Sequence, residues 1–172
     1  MLTAFARQVH EFGGGTLKRC SISGCRLAGI AVQKRGSPVV DTCSISLGAS
    51  AGVIIEENGG GIFLNCDVAG SSLVGIAIAG PGSDPLIREC TVRGGGDAGI
   101  LVYGGGKGRI ISCDISGNAR AGIEVTGKES TPALRVSACS ARTSSRCVLE
   151  FDRRLARGHI LFNFPLRYRS RR

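Results

Sequence analysis

IRECTVRGGGDAGILVYGGGKGRIISCDIS, residues 87–116, contains one full period of the chain. The heptapeptide that opens it, IRECTVR, returns at its end as IISCDIS. Three more copies precede it: LKRCSIS from residue 17, VDTCSIS from residue 40 and FLNCDVA from residue 63. Their cysteines, Cys20, Cys43, Cys66, Cys90 and Cys113, are 23, 23, 24 and 23 residues apart. A second motif keeps the same phase: AGIAV, AGVII, VGIAI, AGILV and AGIEV, with glycines Gly29, Gly52, Gly75, Gly99 and Gly122. Two independent motifs on one period mark an array of stacked units.

Each unit holds short runs of period-2 alternation rich in Ile and Val, with no helical stripe. Runs so short are unstable alone. Stacked turns give each a parallel neighbour at about 4.8 Å and bury equivalent residues on one another. The expected fold is therefore all-β, a single-stranded right-handed parallel β-helix of about 5.5 coils of 23 to 24 residues. The expected inward columns are Leu17/Val40/Phe63/Ile87/Ile110/Leu134, the cysteines, Ile22/Ile45/Val68/Val92/Ile115, and the two Ile/Val columns after each glycine. A sixth coil keeps phase if Ser137 takes the cysteine place and RCVLE at 146–150 aligns with GVIIE at 52–56. The glycine clusters at 94–97 and 103–108 fall between strands, where tight corners need positive φ. No GxxxxGK[ST] accompanies them, which sets aside a nucleotide-binding loop.

Three segments follow. Residues 1–15 form an N-terminal cap: Leu2, Phe5, Val9 and Phe12 have helical spacing, with Thr3 as N-cap, and a truncated earlier coil is the alternative. Residues 16–150 hold the repeats. Residues 151–172 are a basic tail, disordered or folded over the helix. The net charge is +9, yet residues 141–172 alone carry nine arginines against one Asp and one Glu, so the basicity belongs to the tail. Nucleic acid is thus expected as a partner only through the tail, if at all. No run approaches the roughly 18 apolar residues a membrane span needs, and the first residues, MLTAFARQVHEF, lack the pattern of a secretory signal.

A 47-residue period overlies the shorter one. Pro38, Pro85 and Pro132 open SPVVDTC, DPLIREC and TPALRVS, while the intervening turns use glycine, as in NGGGIFLNC and GGGKGRIISC. With this alternation, GIAVQKRGSPVVDTCSI, GIAIAGPGSDPLIRECTV and GIEVTGKESTPALRVS resemble the right-handed β-helix repeats of F-box-only proteins. More loosely, the chain is similar to pectin-lyase-like proteins that bind or hydrolyse carbohydrate. The resemblance covers residues 16–150. It implies a substrate-recognition surface of a ubiquitin-ligase adaptor, in the cytoplasm or nucleus. That family usually has asparagine where this chain has the five ladder cysteines, and a thiol is the weaker hydrogen-bonding group. No F-box motif stands ahead of the repeats in this sequence, so the resemblance extends to recognition and not to ligase recruitment.

Neither close cysteine pair, Cys20/Cys25 or Cys139/Cys147, has metal-ligand spacing. Stacked cysteines with parallel side chains have Cβ atoms too far apart to bridge, so free structural thiols in a reducing, intracellular compartment are expected. His10 and His159 lie outside the repeats and lack an orienting partner. No metal ligands and no cofactor site emerge.

On the outward face of the strand after each glycine, Glu56 and Glu124 are about 14 Å apart, too far to act as a pair. Asp67 and Asp114, about 9.6 Å apart, have an inverting separation but no surrounding sugar site. The same face carries an apolar strip, Ile54, Ala77 and Leu101 edged by Tyr103, of the kind that marks an interaction site. Either a partner or the tail covers it. A protein-binding β-helix without catalysis is the first expectation, and a carbohydrate-binding or carbohydrate-active one the second.

Overall fold

The computed structural model describes residues 7–9, 13–127, 129–141, 148–152 and 167–171. Among them regular structure is strand only, and every pairing is parallel. The strands after the motif glycines, such as Ile76–Ala79 and Ile100–Tyr103, form an eight-stranded first sheet. Its first member is Arg7–Val9, and its last two are Val148–Asp152 and Arg167–Arg171. The second sheet has six strands, Thr16–Lys18, Val39–Asp41, Ile62–Leu64, Leu86–Arg88, Arg109–Ile111 and Ala133–Arg135. The third also has six, from Ser21–Ser23 to Ala138–Ala141. In each coil the chain runs along the second sheet, the third and then the first, and the core is the space between them.

The expected columns are present. Leu17, Val40, Phe63, Ile87, Ile110 and Leu134 are successive partners in the second sheet. Ile22, Ile45, Val68, Val92 and Ile115 are partners in the third, which Cys139 extends. In the first sheet Ile30, Val53, Ile76, Ile100 and Ile123 form one column, and Val32, Ile55, Ile78, Val102 and Val125 the next. These last ten side chains are buried. Each such burial contributes roughly 1.5–3 kcal/mol, and the stack repeats it coil after coil.

Cys43, Cys66, Cys90 and Cys113 are buried and Cys20 half-buried, in the column the period implies. Their thiols contact the corner backbone more than the sequence suggests. The Cys66 thiol lies 3.1 Å from the Leu64 carbonyl oxygen and 3.5 Å from that of Val40 in the coil before. Cys43, Cys90 and Cys113 repeat the arrangement. The cause is the residue before each cysteine. Arg19, Thr42, Asn65, Glu89 and Ser112 all have φ of 51° to 54°. One left-handed residue turns the chain sharply from the second sheet to the third and brings carbonyls over the sulfur. This corner is thus made without glycine.

Four features differ from the sequence reading. At the N-terminus the extended alternative holds for Arg7–Val9, which pairs with Ile30–Val32 and places Val9 opposite Val32; Leu2, Thr3, Phe5 and Phe12 lie outside the described residues. In the sixth coil Ser137 is exposed, and Val136 packs against the core instead. An apolar side chain fills the end of the cysteine column better than a hydroxyl. In the last strand pair Leu149, not Cys147, stands opposite Ile123, and Phe151 stands opposite Val125. That coil is 26 residues long from Ile123 to Leu149, a slip of two that preserves which residues share a face. Finally, Val148–Asp152 runs past residue 150, and Arg167–Arg171, within the tail, pairs with it as a parallel strand.

Candidate functional site

With Ile76, Ile78, Ile100 and Val102 facing inward, their neighbours in the first sheet face out. Ile54, Ala77, Leu101 and Glu124 are consecutive partners in one outward column, and Tyr103 lies opposite Ala79 in the next. The expected strip is therefore assembled, but its members differ in accessibility. Ala77 is only 7% exposed between two larger neighbours, Ile54 and Leu101 are half-buried, and Tyr103 is 39% exposed. Beyond Leu101 the column ends in charge: Arg120 lies 3.2 Å from Glu124 and 3.0 Å from Asp97. Gln33 donates to Glu56.

The carboxylates weighed as an acid–base pair are not set up as one. Asp67, Thr91 and Asp114 form an outward column of the third sheet. Arg93 donates twice to Asp67, at 3.2 and 2.8 Å, and the carboxylate in turn raises the guanidinium pKa. A carboxylate held in that fork has its oxygens occupied by the guanidinium. Asp41 is held below its ordinary range, first by the Thr42 hydroxyl and then by Lys18.

The second sheet carries a feature the sequence reading missed. Val39, Ile62 and Leu86 are consecutive partners on its outer side, and Leu64 and Ile111 stand in the adjacent column. Ile62 is 38% exposed and the other four are half-buried. The signal was available in IFL and LIR. In a three-residue strand whose middle residue fills the core, both flanking residues must face out. Arg109 and Arg135 follow at the C-terminal end of this surface, both exposed.

Six described cysteines are free, whereas Cys139 is disulfide-bonded. The five stacked cysteines are therefore free thiols, as their parallel side chains imply, and the bond at Cys139 lies outside that column. Burial pushes the Cys43 thiol up. Cys66 also rises, first through its contact with Cys90 and then through burial. Cys90 is pushed up to about 12, chiefly by its contact with Cys113, with burial adding. Cys113 moves down, first through its contact with Cys90. Among the described residues no three His, Cys, Asp or Glu side chains converge as a metal site. No helix among them is long and apolar enough to cross a membrane. His10 and His159 lie outside the described residues.

No curated protein and no solved structure matches the chain. A family model described as right handed beta helix region matches residues 6–141. That span runs from the strand Arg7–Val9 to the end of the third sheet at Ala141 and takes in all of the second. The chain belongs to this right-handed β-helix family.

Proposed function

We propose that this β-helix is a non-catalytic scaffold for protein recognition. The observation that carries it is the aliphatic character of outward positions on two of the three sheets. Ile54 and Leu101 lie on one, and Val39, Ile62 and Leu86 on the other, all in strands whose opposite side already fills the core. Contiguous apolar surface bordered by ion pairs has the anatomy of a protein interface. On the likeness to F-box-only proteins, the role is that of the substrate-recognition part of a ubiquitin-ligase adaptor. A cytoplasmic or nuclear location goes with it.

The competing reading is carbohydrate binding or cleavage, as in other β-helix proteins. Sugar sites combine acidic groups with aromatic platforms. Here the candidate acids Glu124 and Asp67 are engaged by Arg120 and Arg93.

A photo-crosslinking amino acid placed at Tyr103, at Leu64 or, as a polar control, at Ser46 separates the two. Protein adducts from native extract at position 103 or 64, in excess of position 46, are the expected result. Equal yields at all three positions, with retention of the chain on an acidic-glycan array, would replace protein recognition with carbohydrate binding.

A further inference from the structure

We propose that the outer face of the second sheet docks an amphipathic helix of a partner protein, with the helix axis along the solenoid and an acidic end over Arg109 and Arg135. This rests on the protein-recognition reading and names its face and ligand chemistry.

Charge supplies the first argument. Asp41 and Glu89 already have cations. Lys18 lies 3.1 Å from Asp41, and Arg88 lies 2.8 Å from Glu89. Arg109 and Arg135 are exposed, and no carboxylate among the described residues pairs with them. Arg109 continues the column of Ile62 and Leu86, and Arg135 continues that of Ile111. The column Val39, Ile62 and Leu86 is therefore apolar and runs into cationic Arg109, beside a column whose Lys18–Asp41 and Arg88–Glu89 charges are already paired, and its complement is apolar and then acidic. The chain's own tail is an unsuitable occupant, because its arginine excess repeats the charge of Arg109 and Arg135.

Spacing supplies the second. Val39, Ile62 and Leu86 step from strand to strand by about 4.8 Å. Same-face residues of an α-helix recur once per turn, about every 5.4 Å along its axis. A helix laid across the strands meets these side chains nearly one per turn. An extended peptide recurs at about 6.8 Å and gains no backbone hydrogen bonds here, since Ile62–Leu64 is already paired on both sides. Aliphatic side chains also offer no π-face for stacking a base, which favours a peptide over single-stranded nucleic acid.

The test is selection from a displayed library of 18-residue helical peptides on the full chain, followed by fluorescence anisotropy of the enriched sequences. Enrichment should favour apolar residues at i, i+3/i+4 and i+7 with Asp or Glu clustered at one end. Ile62→Asp should weaken binding at least 30-fold, Arg109→Glu with Arg135→Glu at least 10-fold, and Leu101→Asp less than 2-fold. Circular dichroism melts check that each variant folds; should Ile62→Asp not fold, the exposed arginine pair decides alone. Peptides lost on Leu101→Asp but indifferent to the arginine reversal would overturn the second-sheet assignment while leaving protein recognition standing. Enriched basic peptides, or displacement by polyuridylate at low concentration, would overturn the acidic-helix ligand. No enrichment over bare support would overturn this proposal, while the protein-recognition reading is decided separately by the crosslinking yields at positions 103 and 64 against position 46.

Discussion

Gly75 lies against Gly99 so closely that a Cβ on Gly75 would stand 2.6 Å from the Gly99 carbonyl oxygen and collide with the Val92 side chain. The same contact recurs at Gly29, Gly52 and Gly99 against the next glycine of the column. The glycine of the AGI motif is thus required by the approach of one coil to the next. Gly75→Ala should cost about 2 to 3 kcal/mol, the scale of overpacking in a rigid core. Gly60→Ala, whose nearest non-neighbouring atom would be 3.8 Å away, should change stability by less than about 0.5 kcal/mol. Urea melts of the two proteins measure the contrast.

Leu47 has φ of 54° at the corner after the third sheet. Gly24, Gly70, Gly94 and Gly117 hold the equivalent place in the other coils, with φ of 62° to 67°. A left-handed conformation costs a non-glycine residue roughly 1–2 kcal/mol, partly offset by the greater chain entropy of glycine. Since Leu47 is 68% exposed, little packing is lost on truncation. Leu47→Gly should therefore stabilise the fold by about 0.5 kcal/mol, and Gly94→Leu should destabilise it by more than that. An unchanged or lower melting temperature for Leu47→Gly would show that its side chain packs usefully.

How far the sequence reveals this architecture depends on the kind of interaction. The inward columns were readable because two periodicities, 2 within a strand and 23 between coils, fix each of Val40, Phe63 and Ile87. The left-handed corners at Arg19, Thr42, Asn65, Glu89 and Ser112 were not, because these five residues share no chemistry, only a place before cysteine. The outer strip at Ile54 and Leu101 follows from the alternation in the strands after the motif glycines, and the same alternation exposes Val39, Ile62 and Leu86 on the second sheet. Val136 displaced Ser137 from the core because the last coils lose strict phase, where counting from the cysteine no longer suffices.

Asn118 is a buried polar side chain in a corner where other coils use small residues. Its side chain accepts from the Gly95 N–H at 2.9 Å and donates to the Val92 carbonyl at 3.3 Å. Asn118→Ala leaves both backbone groups without this partner inside a closed corner, which should cost about 2 kcal/mol. Hydrogen exchange at Gly95 should quicken more than at Gly70, which donates instead to the backbone of Arg93. Equal protection at both amides would mean that water replaces the asparagine.

Cys43, Cys66 and Cys90 are buried and raised in pKa, so little thiolate is available to react at neutral pH. N-ethylmaleimide should label the native protein slowly at these positions and fully in denaturant. Peptide mapping should find Cys139 protected in denaturant until a reductant is added. Rapid native labelling of Cys66 or Cys90 would indicate that the coils open readily.

Every surface assignment depends on which residues of a strand face inward, and Ile100 and Leu101 test this most directly. Ile100 is 0% exposed in the core column, while Leu101 is half-buried on the outer side. Ile100→Asp buries an unpaired carboxylate and should prevent cooperative folding, whereas Leu101→Asp should keep the native circular dichroism spectrum and melt within a few degrees of the parent. The contradicting result is the reverse: a folded Ile100→Asp beside an unfolded Leu101→Asp, which would shift the register by one and turn every outward residue named above into the core.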